Sequence, residues 1–204
     1  MKIAIIGAGN VGKALGTSIA RAGHEVTIAA KHPAHARAAA QEIGARSVEN
    51  TEAAVADAEV VILAVPYTAE TSELVDEIRD SVDGRTVVDV SNPLTQDYSG
   101  LATHGTSAAE ELQQQLPRAK VVKAFNTIFA SNQPHPSRDI DGFVAADDPE
   151  AKGKVLELIE SIGFSPLDVG PLSSARYLEG MAFINIGLNA QNGWRWTSAW
   201  HLER

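Results

Sequence analysis

The sequence of 204 residues predicts a doubly wound α/β fold, with a mostly parallel sheet and a short C-terminal α/β extension. Three observations lead to this prediction. Short β-branched runs alternate with stretches of helical periodicity along almost the whole chain. Several of these runs are nearly continuously apolar, as strands are when helices cover both faces of a parallel sheet. A glycine-rich turn joins the first run to the first helical stretch.

The individual elements are predicted in order from residue composition and from the glycines and prolines at their ends. The predicted strands cover residues 2–6, 25–29, 60–65, 86–90, 121–124, 142–146 and 165–169. The predicted helices cover residues 11–22, 34–43, 51–56, 68–82, 107–116, 149–162 and 173–192. Gly23 and Gly44 stand where glycine commonly ends a helix, and Pro33 suits the first turn of the second helix. Residues 127–141 have little periodicity, so we expect a long loop there.

The composition excludes several kinds of site and partner. The chain has no cysteine, which excludes a disulfide framework, a thiolate zinc site and a cysteine nucleophile. A net charge of -9 repels polyanions, so we expect no nucleic-acid partner. The longest mainly apolar run, residues 181–188, is shorter than the roughly 18 residues of a membrane span. The N-terminus has no signal-peptide pattern, and we expect a cytoplasmic protein that does not enter membranes.

The glycine-rich turn is the strongest chemical signal. Its pattern G-x-G-x-x-G directly follows an apolar strand and opens a helix, which is the context of the Rossmann dinucleotide fingerprint. Gly7 permits the tight turn, Gly9 lets the backbone approach a pyrophosphate, and Gly12 lets the helix pack on the strand. A plain turn between strand and helix is the alternative. The candidate pyrophosphate-binding residues are Gly7, Ala8, Gly9, Asn10, Val11 and Gly12.

The end of the second predicted strand indicates which dinucleotide binds. NAD sites usually carry a carboxylate about 20 residues after the glycines, and none stands here. Instead Ala30 is followed by Lys31, His32 and His35, which supply cations and donors for a 2′-phosphate. We therefore predict NADP(H) rather than NAD(H). The alternative is a solvated helix start. His32 and His35 have no third ligand in view, so we predict no metal.

Other strand ends contribute small and polar residues. Ala64, Val65 and Pro66 stand at the end of one predicted strand, at the sheet edge where open parallel sheets bind ligands, beneath the ribose rings. An ordinary junction between strand and loop is the alternative. Asn126 and Thr127 follow another strand and can bond the nicotinamide carboxamide or the substrate, or else cap a turn. No catalytic triad, lysine spacing or carboxylate pair stands out, so we name no catalytic residue. Hydride transfer between two bound rings requires positioning more than an acid or base.

Five segments carry a family resemblance: GAGNVGKAL at 7–15, AAKHP at 29–33, VILAVP at 61–66, VVKAFNTI at 121–128 and FSPLDVGPLSSARYLE at 164–179. With them the chain resembles the coenzyme F420-dependent NADP oxidoreductases over nearly its whole length. The same fold unit forms the cytoplasmic domain of the STEAP metalloreductases. The glycine motif is common to many dehydrogenases, whereas the last two segments are more specific to this group.

The resemblance implies roles for individual residues. It implies that residues 8–11 contact the pyrophosphate, and that residues 65 and 66 lie near the ribose. Lys31 takes the place of the family's 2′-phosphate arginine, whereas Ala30 replaces a serine and removes one donor. Asn126, Thr127 and Ile128 fall near the nicotinamide. Residues 1–128 then form the Rossmann domain, and residues 129–204 an extension on the same sheet with the acceptor pocket and a dimer contact.

The predicted function is hydride transfer between NADPH and a deazaflavin (F420) or flavin (FMN or FAD) acceptor. The alternative is a non-catalytic NADP(H)-binding module that senses redox state through a protein partner. The C-terminal tail concentrates all three tryptophans, Trp194, Trp196 and Trp200. These tryptophans anchor packing or a dimer, or form an aromatic wall against a flavin-like ring. Apolar residues on several sides of the last helix predict a homodimer.

Overall fold

A computed structural model describes residues 1–204, with the side chains of residues 1–68 and 71–204. The strands are β1 (Lys2–Ile6), β2 (Glu25–Ala29), β3 (Arg46–Ser47), β4 (Val60–Leu63), β5 (Thr86–Asp89), β6 (Lys120–Ala124), β7 (Asp141–Ala146) and β8 (Ser165–Asp168). They form one sheet in the order β3-β2-β1-β4-β5-β6-β7-β8. Only the β6–β7 pair is antiparallel among the pairs described, so the predicted doubly wound, mostly parallel α/β fold is confirmed.

Seven α-helices connect these strands. They are α1 (Asn10–Arg21), α2 (Pro33–Ile43), α3 (Thr51–Val55), α4 (Ala69–Ile78), α5 (Ala108–Gln115), α6 (Pro149–Ile162) and α7 (Ala175–Asn192). Polar residues before two of them explain where these begin. The side chains of Ser107 and Asp148 accept hydrogen bonds from backbone N–H groups in the first turns of α5 and α6. Such caps replace partners that the first turn of a helix lacks.

The structure differs from the sequence prediction at several element ends. β3 was not predicted, because a strand of two residues has no periodicity to detect. β4 ends at Leu63, so Ala64 and Val65 belong to the following loop. The helix predicted over residues 68–82 is divided into α4 and a separate turn of 3-10 helix at Asp80–Val82. A second 3-10 turn, Leu172–Ser174, precedes α7.

Two apolar layers cover the sheet. On one face, Leu15 of α1 and Val155 of α6 pack against strand residues such as Ile5. On the other face, side chains of α3, α4 and α5 pack against alternate strand residues such as Val61. Because both faces are covered, ligands can approach the strands only at the sheet edges, and the carboxyl ends of β1, β4, β5 and β6 meet at one edge.

The tail of residues 193–204 runs back over the molecule after α7. Asn189 on α7 donates from Nδ2 to the Ser198 hydroxyl at 2.6 Å. The backbone N–H of Asp141, at the start of β7, donates to the carbonyl of Trp200 at 2.9 Å. The tail is therefore attached both to α7 and to the sheet. Among the described residues, no helix combines the length and hydropathy needed to cross a bilayer.

Candidate functional site

The glycine-rich turn lies at the carboxyl end of β1 and requires glycine at two positions. Gly7 has φ 121°, and a Cβ there would lie 2.2 Å from the carbonyl oxygen of Ala64. A Cβ on Gly12 would lie 2.0 Å from the carbonyl oxygen of Gly7. Both distances are far inside van der Waals contact. The turn therefore brings α1 against β1 and β4 more closely than any side chain permits.

Gly9 differs from its two companions because the space beside it is open. A Cβ there would meet no described heavy atom within 4 Å, and the residue caps α1 with an ordinary φ of -77°. No acidic side chain lies in the first turn of α1, and Gly9, Asn10 and Val11 are exposed. The N–H groups of this turn face a space that an anion can enter, and the helix dipole favours negative charge there.

A cavity of about 460 Å³ lies on the β2 side of the turn. Gly7, Ala30, Lys31, Val65 and Pro66 are all among its lining residues, so the structure brings together candidates from three separate strand ends. The size is typical of ligand pockets, which run from about 300 to 1,000 Å³. Thr51, Leu74 and three glutamates complete much of the lining.

Charges around this cavity are mixed. Glu49, one of the lining glutamates, holds Arg37 by an ion pair of 2.8 Å between exposed side chains. Lys31 contributes a cation to the lining itself. His32 precedes the first residue of α2 and packs edge to face on His35, with ring centroids 5.3 Å apart. The two histidines lie beside the cavity at the start of α2, and neither is among its lining residues.

A second cavity of about 100 Å³, the inner pocket, lies on the other side of the turn. Its lining residues come from the start of α1, the ends of β5 and β6, and α7, and include Val11, Asn92, Asn126, Thr127, Ile128 and Ala182. Two buried atoms in this lining have no hydrogen-bond partner in the described structure, Asn126 Oδ1 and Thr127 Oγ1. An unpaired buried polar atom is costly, and these two atoms lack the hydrogen-bond partners that buried polar atoms normally have.

The orientation of Asn126 follows from its neighbours. Asn92 donates from Nδ2 to the backbone carbonyl of Asn126 at 3.0 Å, which leaves Asn92 Oδ1 as an acceptor. Asn126 Nδ2 donates to that oxygen at 2.9 Å and to the carbonyl of Leu178 at 3.0 Å. Both partners of Nδ2 are acceptors, so the amide cannot be reversed without losing these bonds. Asn126 Oδ1 is thereby left as an acceptor without a partner, in a residue that lines the inner pocket.

A buried ion cluster lies at the carboxyl ends of β5 and β6. Lys123 of β6 is fully buried, and its Nζ lies 2.7 Å from Asp89 Oδ2, 2.8 Å from Glu179 Oε1 and 2.7 Å from the carbonyl of Ser91. Glu179 of α7 also accepts from the N–H of Ala108, the first residue of α5. Burial raises the pKa of Glu179, and the attraction of Lys123 opposes this shift. The cluster ties β5, β6, α5 and α7 together.

Sequence reasoning did not find this cluster. We noted no lysine-based arrangement and no carboxylate pair at a strand end, yet Asp89 ends β5 and lies beside Lys123. The signal in the sequence was a lysine inside the otherwise apolar strand VVKA. A lysine in a strand that helices cover on both faces is buried, and a buried lysine needs carboxylate partners. Its partner Glu179 is distant in sequence, and spacing alone does not reveal it.

Tyr67 forms another polar contact near the strand ends. Its hydroxyl donates to Glu111 Oε2 of α5 at 2.5 Å. Burial and this hydrogen bond raise the pKa of Tyr67 to about 12, so the phenol stays protonated at neutral pH. Among the side chains that the structure describes, no group of three histidines or carboxylates gathers closely enough to hold a metal.

Comparisons with known proteins agree with this geometry. Residues 2–93 match the sequence model of the family described as NADP oxidoreductase, coenzyme F420-dependent. The chain is 34% identical over 182 residues to Metalloreductase STEAP3 of Rattus norvegicus, which covers 88% of this chain and 36% of that protein. It is 28% identical over 183 residues to Metalloreductase STEAP2 of Homo sapiens, with 88% and 35% covered. The chain thus spans about a third of the length of these curated relatives.

Two solved structures are also similar. A crystal structure from Arthrobacter sp. FB24, named "putative f420 dependent nadp-reductase", superposes with a TM-score of 0.88 and 28% identity, covering 100% of both chains. The hypothetical protein SMa0349 of Sinorhizobium meliloti superposes with a TM-score of 0.71 and 33% identity, covering 86% of this chain and 88% of that one. The full-length superposition on the first of them includes the C-terminal extension as well as the part before it.

Proposed function

Because the chain belongs to the coenzyme F420-dependent NADP oxidoreductase family, we propose that it transfers a hydride between NADPH and a deazaflavin or flavin acceptor. The observation that supports this most is the pair of unpaired buried acceptors, Asn126 Oδ1 and Thr127 Oγ1, in the inner pocket. A carboxamide NH₂ group offers the two donors that such acceptors need. Few common ligands join that group to a diphosphate.

The other features of the site fit the rest of the coenzyme. The open space beside Gly9 and the free amides of α1 suit the diphosphate. The cavity of about 460 Å³ on the β2 side of the turn suits the adenosine half of the coenzyme, with Val65 and Pro66 against the ribose. Lys31 supplies a cation for the 2′-phosphate, and His32 and His35 lie beside it as further donors. The residues present therefore fit NADP(H).

The residues of the chain have positioning roles in this proposal. The coenzyme, when bound, supplies the hydride that an oxidised ring accepts together with a proton from solvent. Asn126 and Thr127 fix the carboxamide and hence the face that the ring presents. The Lys123–Glu179 ion pair fixes α7, which carries Ala182 and Ile186 into the wall of the inner pocket. Apolar walls exclude water from the reacting atoms.

Turnover of the purified chain tests the proposal. NADPH is mixed with F420, FMN or FAD, and the loss of the reduced-nicotinamide absorbance band is followed. We expect oxidation of NADPH that depends on one of these acceptors and is slower with NADH. Tight NADPH binding without turnover on any of the three acceptors would contradict the proposal and favour the redox-sensing alternative.

We also propose that the chain forms a homodimer through α7. Tyr177, Ile184 and Leu188 are exposed apolar residues at helical spacing on one side of this helix. Large exposed apolar surfaces commonly mark contacts between subunits. Light scattering is expected to give twice the monomer mass of 21.6 kDa, and Ile184→Glu is expected to reduce it to that of the monomer.

A further inference from the structure

Lys123 lies near Asn126 in the chain, but its side chain is directed into the buried ion cluster. It is fully buried there between Asp89 and Glu179, and none of these three residues is among the lining residues of the inner pocket. Two separate series of contacts nevertheless lead from the ammonium group of Lys123 to the side-chain amide of Asn126.

The first series of contacts runs through the loop after β5. Lys123 Nζ donates to the backbone carbonyl of Ser91 at 2.7 Å. The N–H of Ser91 donates to Asp89 Oδ1 at 2.9 Å, so two members of the cluster hold this one residue. The next residue in the chain is Asn92, which exchanges two hydrogen bonds with Asn126. The position of the Asn92 side chain therefore depends on the cluster.

The second series of contacts runs through α7. Lys123 Nζ donates to Glu179 Oε1 at 2.8 Å, and Glu179 also accepts from the N–H of Ala108 at the start of α5. The residue before Glu179 in α7 is Leu178, whose carbonyl accepts from Asn126 Nδ2 at 3.0 Å. Because Leu178 and Glu179 are neighbours in one helix, the ion pair that holds Glu179 also places the carbonyl of Leu178.

Both acceptors of Asn126 Nδ2 are thus held by one ammonium group. One acceptor is placed through Ser91, and the other is placed through Glu179. While both acceptors hold the NH₂ group of Asn126, the oxygen of the same amide must point the other way, because the amide is planar. The direction of Asn126 Oδ1 is therefore fixed by Lys123, although the two side chains do not touch.

The backbone beside Asn126 does not supply this direction by itself. Phe125, which joins β6 to Asn126, is buried and has a φ of 62°, in a region that large side chains rarely adopt. Such a strained residue persists only where the surrounding contacts fix it. The hydrogen bonds from Asn126 to the loop after β5 and to α7 are contacts of this kind. Loss of the cluster that places them therefore allows the turn after β6 to relax.

We propose that Lys123 is a positioning residue that makes the inner pocket specific for the carboxamide group of the coenzyme. This inference rests on the proposed function and deepens it, because it names the residue that determines which ring substituent is accepted. With its NH₂ group held, Asn126 offers only an acceptor, and Thr127 Oγ1 is a second buried acceptor without a partner. A carboxamide NH₂ group can donate to these atoms, whereas a methyl ketone cannot.

Calorimetry with NADP⁺ and its 3-acetylpyridine analogue, which has a methyl group in place of the NH₂ group, tests this without turnover. We expect the unmodified protein to bind NADP⁺ about tenfold or more tightly, since the analogue leaves both acceptors unpaired. In Lys123→Met we expect the ratio to fall to within about threefold, because the released Asn126 amide can turn its NH₂ group toward the ketone oxygen. Partial unfolding weakens both ligands by the same factor, so a merely structural role leaves the ratio unchanged.

A neutral variant keeps the test decisive if Lys123→Met does not fold. The combination Lys123→Met/Asp89→Asn/Glu179→Gln removes all three charges together and keeps the side-chain volumes nearly the same. Replacing a buried ion cluster as a whole is often neutral for stability, whereas removing one member is costly. We expect this variant to fold and to have lost the ratio. Lys120→Met is the matched control, because Lys120 lies on the same strand but pairs with Glu150 at the surface, and we expect it to keep the ratio.

Asn92→Leu tests the connection itself, because it removes both hydrogen bonds with Asn126 and keeps the three cluster residues. We expect it to lose the ratio as Lys123→Met does. An unchanged ratio in Asn92→Leu or in either folded Lys123 variant would overturn the inference, as would a lost ratio in Lys120→Met or equal binding of the two ligands by the unmodified protein. The proposed function fails separately: NADP⁺ that does not bind, or NADPH that no acceptor oxidises, contradicts the function, whereas turnover together with an unchanged ratio in these variants contradicts the inference alone.

Discussion

Lys123 and Glu179 form an ion pair of 2.8 Å between two side chains that are both fully buried. The pair joins the interior strand β6 to α7, and α7 supplies part of the wall of the inner pocket. Buried charges are expensive to desolvate and are retained only when each has good partners. Here Lys123 has two carboxylates and a carbonyl, and Glu179 has the first N–H of α5 in addition.

Lys123→Met is expected to destabilise the fold by about 3–5 kcal/mol, because it leaves Asp89 and Glu179 buried without their cation. Urea unfolding measures this loss. Lys120→Met is the control: Lys120 lies on the same strand, but its side chain is partly exposed and pairs with exposed carboxylates, so a small effect is expected. Equal losses in the two variants would contradict the role given to the cluster.

The pH dependence of Lys123→Met gives a further check. Burial raises the pKa of Glu179 above its ordinary 4.5, and removing Lys123 raises it further, because Lys123 favours the charged form. A carboxyl whose pKa is higher in the folded state makes that state bind more protons than the unfolded chain. Stability of the variant should therefore increase as the pH falls from neutral toward 4.5. A urea midpoint that decreases as the pH is lowered over this range would contradict a raised pKa of Glu179 in the variant.

Gly9→Ala is expected to weaken coenzyme binding without harming the fold. The added methyl group has room and the backbone is ordinary, but it occupies the space beside the α1 amides. We expect the NADPH affinity, measured by calorimetry, to fall by about tenfold. Gly12→Ala is the contrasting variant, because its methyl group meets the Gly7 carbonyl and should cost about 1–3 kcal/mol of stability. Full NADPH affinity in Gly9→Ala would argue against a diphosphate at this turn.

Thr127→Val is expected to leave stability unchanged or raise it slightly. The valine has nearly the same shape, and it removes a buried hydroxyl oxygen, Thr127 Oγ1, that has no partner in the described structure. The same change removes an acceptor for the carboxamide, so we expect NADPH to bind about fivefold more weakly, equivalent to about 1 kcal/mol. Loss of stability together with unchanged binding would indicate that Thr127 has only a structural role.

Lys31→Ala is expected to reduce the preference for the phosphorylated coenzyme. Lys31 is a cation in the lining of the cavity of about 460 Å³ on the β2 side of the glycine turn, whereas the nearby Arg37 is already paired with Glu49. We expect NADPH affinity to fall by about tenfold while NADH affinity stays constant. Lys154→Ala on α6, far along the chain from this site, controls for the change in net charge. A parallel loss of NADH affinity would mean that Lys31 does not contact the 2′-phosphate.

Much of the fold was predictable because its signals are local. The alternation of apolar strands with helices and the glycine turn after residues 2–6 both lie within short windows of sequence. The ion cluster was not predictable in the same way, since Lys123 and Glu179 meet only after β6 and α7 pack together. The loop at 127–141 was predicted, but its burial was not, and Gln133 within it is only 1% exposed.

In the candidate site too, only the residues with local sequence signals were predictable. The residues of the glycine turn and the end of β2 could be named from spacing, because each lies beside a recognisable strand end. The arrangement of Asn126 depends on Asn92 and on a carbonyl of α7, and neither is visible from the sequence around Asn126. The tail returns to α7 through contacts such as the hydrogen bond from Asn189 to Ser198, and nothing in the local pattern of residues 193–204 indicates that path.

The attachment of the tail offers a route to redesign. Its hydrogen bonds run to residues such as Asn132, Asn189 and Asp141, all in the second half of the chain. Residues 193–198 can therefore be exchanged as a cassette without altering the cavity beside the glycine turn, because no tail residue is among the lining residues of that cavity. Under the proposed function, the electron donor and the oxidant then become separable design problems within one small scaffold.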